Sequence, residues 1–245
     1  MERNIQQYQD TYDNLPFEEY QVLYRRKKVL EQINERGAHC ILEIGCGNLP
    51  LYKDDQKGRE WIIVEPGKRF YEKAKSEAPS NVYVFCDYFE DCTEKILNLN
   101  KKIDYIVCSA LLHELEKPEN MLNSICNICD QDTIVHIDVP NAKSIHRLLA
   151  MEMGIIPDIY TVSQQAIKLQ QQSVYDKRIL RNLCEENALQ VINEGSYFVK
   201  PFTHRQMQDC LDYGIFDRRL LDGLDRLIRY MPEYGSEIFV ECRKK

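Results

Sequence analysis

The sequence predicts an α/β protein: a sheet of seven mostly parallel strands with helices on both faces. A helical N-terminal segment precedes it, and a helical insertion interrupts it before the last strand. Three observations predict this. Short runs of aliphatic and aromatic residues recur at 40–44, 61–64, 81–86, 103–108 and 133–137. Helix-compatible stretches at 67–78, 88–99 and 118–129 fill the gaps. Four of the five runs end at a glycine or an acid: Gly45, Glu65, Asp87 and Asp138. Strands covered on both faces need apolar residues throughout, and parallel neighbours need a crossover helix.

The elements follow in order. Residues 1–16 are polar with interspersed tyrosines and end at Pro16. Residues 17–36 read as a helix with Phe17, Tyr20, Leu23, Tyr24, Val29, Leu30 and Ile33 packed inward. Arg25, Arg26, Lys27 and Lys28 are expected on its other faces, and Gly37 stops it. Beyond residue 139, helices are expected at 142–153, 174–186, 203–211 and 216–230. Strands are expected at 189–199 and 237–242, with 200–236 as the insertion between them.

Composition narrows the function. The chain has 245 residues, 44% hydrophobic and 29% charged, which are globular values. Thirty-two Lys and Arg against 39 Asp and Glu give a net charge of −7. That balance argues against a nucleic-acid partner, which needs a basic surface. No apolar run approaches the ~20 residues of a membrane span. The start, MERNIQQYQD, lacks the apolar core of a secretory signal. Cys40, Cys86 and Cys108, three of ten cysteines, sit in or beside apolar runs, where a thiol acts as a small hydrophobe. A cytoplasmic, reducing location is the expectation.

The strongest motif is Glu43-Ile44-Gly45-Cys46-Gly47-Asn48, at the end of the first strand. Glycines there let the backbone turn and let a cofactor approach without Cβ atoms in the way. A dinucleotide fingerprint would place a third glycine at position 50, which is Pro50, and no P-loop lysine follows. The loop therefore suits a nucleoside without a pyrophosphate. Glu65, at the end of the second strand, offers two acceptor oxygens matched to a ribose diol. Asp87, at the end of the third, can accept from an exocyclic adenine amine.

The segments LEIGCGN, VEPG, CDYFED and DYIVCSALLHELEKPENML resemble the class I S-adenosylmethionine-dependent methyltransferases over residues 38–138. The resemblance implies a Rossmann-like sheet whose last strand is antiparallel. It implies S-adenosylmethionine as cofactor, leaving as S-adenosylhomocysteine. Glu43, Gly45 and Gly47 would lie along the methionine part, Glu65 on the ribose, Asp87 and Tyr88 beside the adenine. Ser109, Ala110 and Leu111 would line the sulfonium region. On this basis residues 1–37 form a helical lid or cap, and 38–245 the catalytic domain, with a cofactor half at 38–138 and substrate-side elements at 139–236. The stretches VPNAKSIHRLLA, GSYFVKPFTHRQM and MPEYGSEIFVEC are similar to a subgroup tied to surface or capsular polysaccharide, whose members methylate sugars or sugar-linked phosphoramidates. Asn187 stands where those relatives often carry glycine.

Methyl transfer needs in-line alignment, and a hydroxyl acceptor benefits from a base. His113 and His146 are the candidate bases. Asn141, Arg147 and Lys200 are candidate contacts for an anionic, sugar-linked small acceptor. Tyr12 is the candidate aromatic lid residue, among Tyr8, Tyr20 and Tyr24. His204-Arg205 could reach the same mouth. A lone Cys126-Asn127-Ile128-Cys129 lacks two further zinc ligands, and His136 with Asp138 makes no acidic cluster, so no metal is expected. Quinone or lipid methylation, and a catalytically idle cofactor-binding subunit, are the competing functions. Nothing in the sequence decides oligomeric state.

Overall fold

The computed structural model describes residue 5 and residues 15–245. Seven strands form one sheet: β1 Cys40–Ile44, β2 Glu60–Val64, β3 Val82–Phe85, β4 Tyr105–Ser109, β5 Ile134–Pro140, β6 Leu189–Tyr197 and β7 Glu237–Lys244. Their order is β3-β2-β1-β4-β5-β7-β6. The first five run parallel, and β7 pairs antiparallel with both β5 and β6. The Rossmann-like expectation and its antiparallel last strand hold.

Helices α1 Glu18–Arg36, α2 Lys68–Ser76, α3 Phe89–Leu97, α4 Pro118–Ile128, α5 Ile145–Glu152, α6 Gln164–Lys168, α7 Lys177–Glu186, α8 His204–Asp212 and α9 Arg218–Arg226 complete the chain. They cover a sheet whose inner strands are almost wholly buried, which is why β1 and β4 read as apolar runs broken only by Glu43 and by Ser109 at the strand end. One apolar cluster on the sheet includes Leu42, Ile106, Leu122, Ile125 and Val240. Another holds Ile41, Trp61, Ile63, Tyr105 and Val29 and Ile33 of α1. A third, smaller cluster joins Tyr24 of α1 to Tyr197, Phe198, Met207, Leu221 and Phe239. It fastens the 200–236 insertion to α1, with the Tyr24 and Phe198 rings stacked 4.5 Å apart.

β5 extends past its expected end at residue 137 to Pro140 because β7 pairs with that extension, Val139 against Ile238 and Pro140 against Glu237. Pro140 sits at the strand's last position, where its missing N–H does least harm. Tight packing near this edge depends on Gly235: a Cβ there would lie 2.6 Å from the Tyr197 carbonyl oxygen.

Two sequence expectations need correction. Arg25 and Arg26 do not face solvent. Arg26 is 6% exposed and gives its guanidinium to Asp54 and to the carbonyls of Leu49 and Pro50. Arg25 holds Glu237 through two bonds of 2.8 and 2.6 Å. A polar stripe on a helix looks solvated in sequence, but here it meets buried carboxylates from distant segments. Cys86 is exposed, because β3 ends one residue before it.

Candidate active site

A crevice of about 800 Å³ opens at the carboxyl ends of β1, β2 and β4, beneath the N-terminal half of α1. Open α/β sheets bind ligands at such strand ends, where the order reverses. Here β1 lies between β2 and β4, the point of reversal.

The floor is backbone. Gly45 and Gly47 have φ of +75° and +55°, a left-handed geometry that glycine adopts without strain. Behind them, both Glu43 oxygens accept from the Leu51 N–H, at 3.2 and 3.0 Å, which ties the loop to the 3₁₀ turn at Leu51–Asp54. Burial pushes the Glu43 carboxyl up to about 8. Glu65 bridges the two turns: Oε2 accepts from Gly47 N at 3.0 Å and Oε1 from Gly67 N at 2.7 Å.

The walls differ from the sequence reading in places. Tyr88, Ser109, Ala110 and Leu111 line the crevice, as do Glu43, Gly45, Gly47 and Glu65. Asp87 is not among its lining residues. Its carboxylate accepts from Lys95 at 2.6 Å, and Glu90 takes the place facing the crevice. Ala110, at φ +50°, is held by Asp138: its N–H donates to the Asp138 carbonyl at 3.0 Å and to Oδ1 at 3.1 Å. Burial opposes the charge of Asp138, yet His136 at 3.3 Å and Arg25 at 3.9 Å hold its pKa down.

The acceptor-side expectations fare unevenly. Asn141 is 2% exposed and donates both amide hydrogens to the carbonyls of Glu233 and Gly235, at 2.9 and 2.8 Å. Arg147 donates to the carbonyls of Ile159 and Thr161. Both residues brace loops outside the crevice lining. His113 is buried at 4% exposure, also outside that lining, and its carbonyl accepts from Gln172 and Ser173. His146 packs toward Lys200, His204 and Arg147, and burial with those cations lowers its pKa. Lys200 is 2% exposed, with Nζ 3.1 Å from His204 Nδ1. Tyr12 and Tyr8 lie outside the described residues.

Glu18 is the residue that sequence reasoning missed. It lines the crevice from the first turn of α1, with Oε2 3.5 Å from His204 Nε2 and Oε1 3.7 Å from Arg25. Burial opposes its ionisation, but His204 and Arg25 keep its pKa below the usual value. An acid in a first helical turn looks like a partner for the helix dipole, so nothing local marks it as functional.

The fold and site have counterparts among known proteins. A family model described as a methyltransferase domain matches residues 17–194. No curated protein sequence matches the chain. A S-adenosylmethionine-dependent methyltransferase from Archaeoglobus fulgidus superposes with a TM-score of 0.55 at 13% identity, over 89% of this chain and 94% of that one. The magnesium protoporphyrin IX methyltransferase of Synechocystis, solved with S-adenosylhomocysteine, gives 0.54 at 10% identity, over 90% and 82%. The mitomycin 7-O-methyltransferase gives 0.55 at 12% identity, over 86% of this chain and half of that longer one. These identities establish a shared fold.

Proposed function

The chain belongs to the methyltransferase-domain family, as a class I S-adenosylmethionine-dependent enzyme, and from that premise we propose that it methylates a hydroxyl oxygen of a small, uncharged acceptor. S-adenosylmethionine supplies an electrophilic methyl on a sulfonium. The residues present fit it: a glycine floor with left-handed turns, a strand-end carboxylate on Glu65, and an apolar slot of Leu111, Phe89 and Met121. The acidic walls suit a cationic sulfonium, since Glu18, Glu19, Glu65, Glu90, Glu114 and Asp54 outnumber Arg25, Arg26 and Arg218 even with Glu43 held neutral by burial. Those cations are already matched by Glu237, Asp54 and Asp222.

The same surplus of acid bears on the acceptor. An anionic, sugar-linked acceptor would enter against it, and Arg147, its expected partner, is held by backbone carbonyls. None of the three structural relatives is named for a sugar acceptor. A neutral hydroxyl compound fits this crevice better, and a role in polysaccharide synthesis draws no support from it.

The observation that carries the reading is the Glu65 carboxylate spanning the two turns at the crevice floor. The test is calorimetry with S-adenosylhomocysteine. Binding is expected, and Glu65→Ala should weaken it by about 1–3 kcal/mol, the worth of charge-assisted hydrogen bonds. No binding by wild type would end the enzyme reading. A screen pairing neutral with phosphorylated hydroxyl compounds, read by transfer of labelled methyl, tests the acceptor class. Preference for the phosphorylated members would restore the anionic reading.

A further inference from the structure

The carboxylate of Glu18 lines the crevice, and the imidazole of His204 and the amine of Lys200 follow it in turn outside the lining. Glu18 Oε2 is 3.5 Å from His204 Nε2, and His204 Nδ1 is 3.1 Å from Lys200 Nζ. The three come from two segments distant in sequence, the start of α1 and the turn after β6. Phe17, Phe198 and Phe202 belong to the apolar cluster at this junction, and the Phe17 ring lies 6.1 Å from the imidazole of His204.

Lys200 is an odd residue to bury. It is 2% exposed, and its Nζ lies 3.1 Å from the imidazole of His204. Its bond is to an imidazole nitrogen, which accepts from an ammonium but donates to a neutral amine. A buried ammonium whose bonded partner is an imidazole, with Glu18 and Glu237 acting only through space, is a burden on stability, so its retention points to use.

We propose that Glu18, His204 and Lys200 form a proton relay that receives the hydroxyl proton of the acceptor. This rests on the methyltransferase reading and adds the base to it. Glu18 is the catalytic group, since it faces the crevice; His204 and Lys200 act through it. The acceptor O–H bond breaks, and its electron pair forms the new bond to the methyl carbon. The C–S pair leaves with the sulfur of the donor. The proton goes to Glu18, then to His204 Nε2, while His204 Nδ1–H passes its own proton to the Lys200 amine. Atoms and charge balance with Lys200 ending as ammonium. The return runs the same chain backward to water after product leaves.

The relay has a set direction in pH. Burial lowers the Lys200 pKa to about 8, with Glu18 and Glu237 opposing the drop and Arg25 adding to it. Burial and Lys200 lower His204, against Glu18 and Glu237. His146 on α5 also faces the pair, with Arg147 beside it. Below that pH Lys200 is an ammonium, His204 Nδ1 accepts from it, and the proton sits on Nε2. Above it, the neutral amine accepts from Nδ1–H and leaves Nε2 open to Glu18.

Nitrogen NMR of the ¹⁵N-histidine-labelled full chain tests this, with the His204 signal assigned by its loss in His204→Gln. The expected result is a switch of the protonated nitrogen from Nε2 to Nδ1 as pH passes about 8. The switch should vanish in Lys200→Met. Glu18→Gln, which removes a charge that raises the Lys200 pKa, should move the switch to lower pH. An unchanged tautomer across the titration, or a switch indifferent to both variants, overturns the relay. S-adenosylhomocysteine affinity is measured in the same samples. Loss of it in wild type would indict the methyltransferase reading, and a failed switch with intact affinity indicts the relay alone.

Discussion

The two sides of the crevice are made from different materials. The cofactor side is assembled from backbone: glycine turns at Gly45 and Gly47, and the amides of Gly47 and Gly67 gathered by Glu65. The proposed acceptor side presents charged side chains brought together across the chain: Glu18 and Arg25 of α1 line the crevice, held from outside the lining by Lys200 and His204 after β6 and Glu237 from β7. The first needs only a strand followed by a permissive turn, so one short motif encodes it. The second exists only once α1 has docked on β6 and β7. The cofactor side should therefore resist single changes in the charge network, while the acceptor side should not.

The sharpest way to break that contrast is Glu237→Ala. Its carboxylate accepts from Arg25 twice, from Gln21 at 2.9 Å and from the Tyr197 hydroxyl. Removing it leaves a largely buried guanidinium with only the longer contacts to Glu18 and Asp138, which is strongly unfavourable. A loss of about 3–5 kcal/mol in urea unfolding is expected. A loss below about 1 kcal/mol, the range of a surface pair, would mean the clamp is solvated in practice.

Lys200→Met should act in the opposite direction, raising stability by about 2–3 kcal/mol at neutral pH, because it removes a buried charge. The sign follows from the depressed pKa. Between about 8 and the ordinary lysine value of 10.5, the unfolded chain keeps a proton that the folded chain has lost. Wild type therefore gains stability as pH rises through that window, and its deficit against the variant closes. Unfolding curves on both sides of pH 8 check this. A variant less stable than wild type at neutral pH would make Lys200 a structural residue.

Glu43→Gln probes a strongly shifted acid on the cofactor side. Its raised pKa means that stability is fully present below the ordinary carboxyl value of 4.5 and is lost as pH rises to about 8. Glutamine keeps an acceptor for the Leu51 amide without the charge. The variant should match wild type in acid and exceed it by up to about 4 kcal/mol at pH 8, read from the same unfolding curves. Parallel pH profiles for the two proteins would assign the slope elsewhere.

The same contrast explains what the sequence made legible. The strands were readable because their apolar runs are the physical requirement of a sheet covered on both faces. Gly45, Gly47 and Glu65 were readable because strand ends and turns are local. Asp87 and Glu90 were not separable: both follow β3 within five positions, and only the way the chain enters α3 decides which faces the crevice. Arg25 and Arg26 looked solvated because the acids they meet, Glu237 and Asp54, are not sequence neighbours. Asn141 and Arg147 looked like ligand contacts because they follow a strand end. Their partners turned out to be backbone carbonyls, which no side-chain pattern announces.

The smallest expected effect separates bracing from binding. Arg147 donates to Ile159 and Thr161 carbonyls, so it staples the connection between α5 and α6. Burial lowers its pKa, with Asp158 opposing, so the guanidinium is fixed more by packing than by a counter-charge. Arg147→Ala should cost about 1 kcal/mol or less in global unfolding, because the staple holds a connecting segment outside the sheet. The effect belongs instead in hydrogen exchange: amides of residues 153–163 should exchange faster while β1, β2 and β4 keep their protection. S-adenosylhomocysteine affinity should not move, since Arg147 lies outside the crevice lining. Faster exchange reaching the strands, or a drop in that affinity, would show that the loop-bracing arginine is coupled to the backbone-built side, and the division between the two walls would fail.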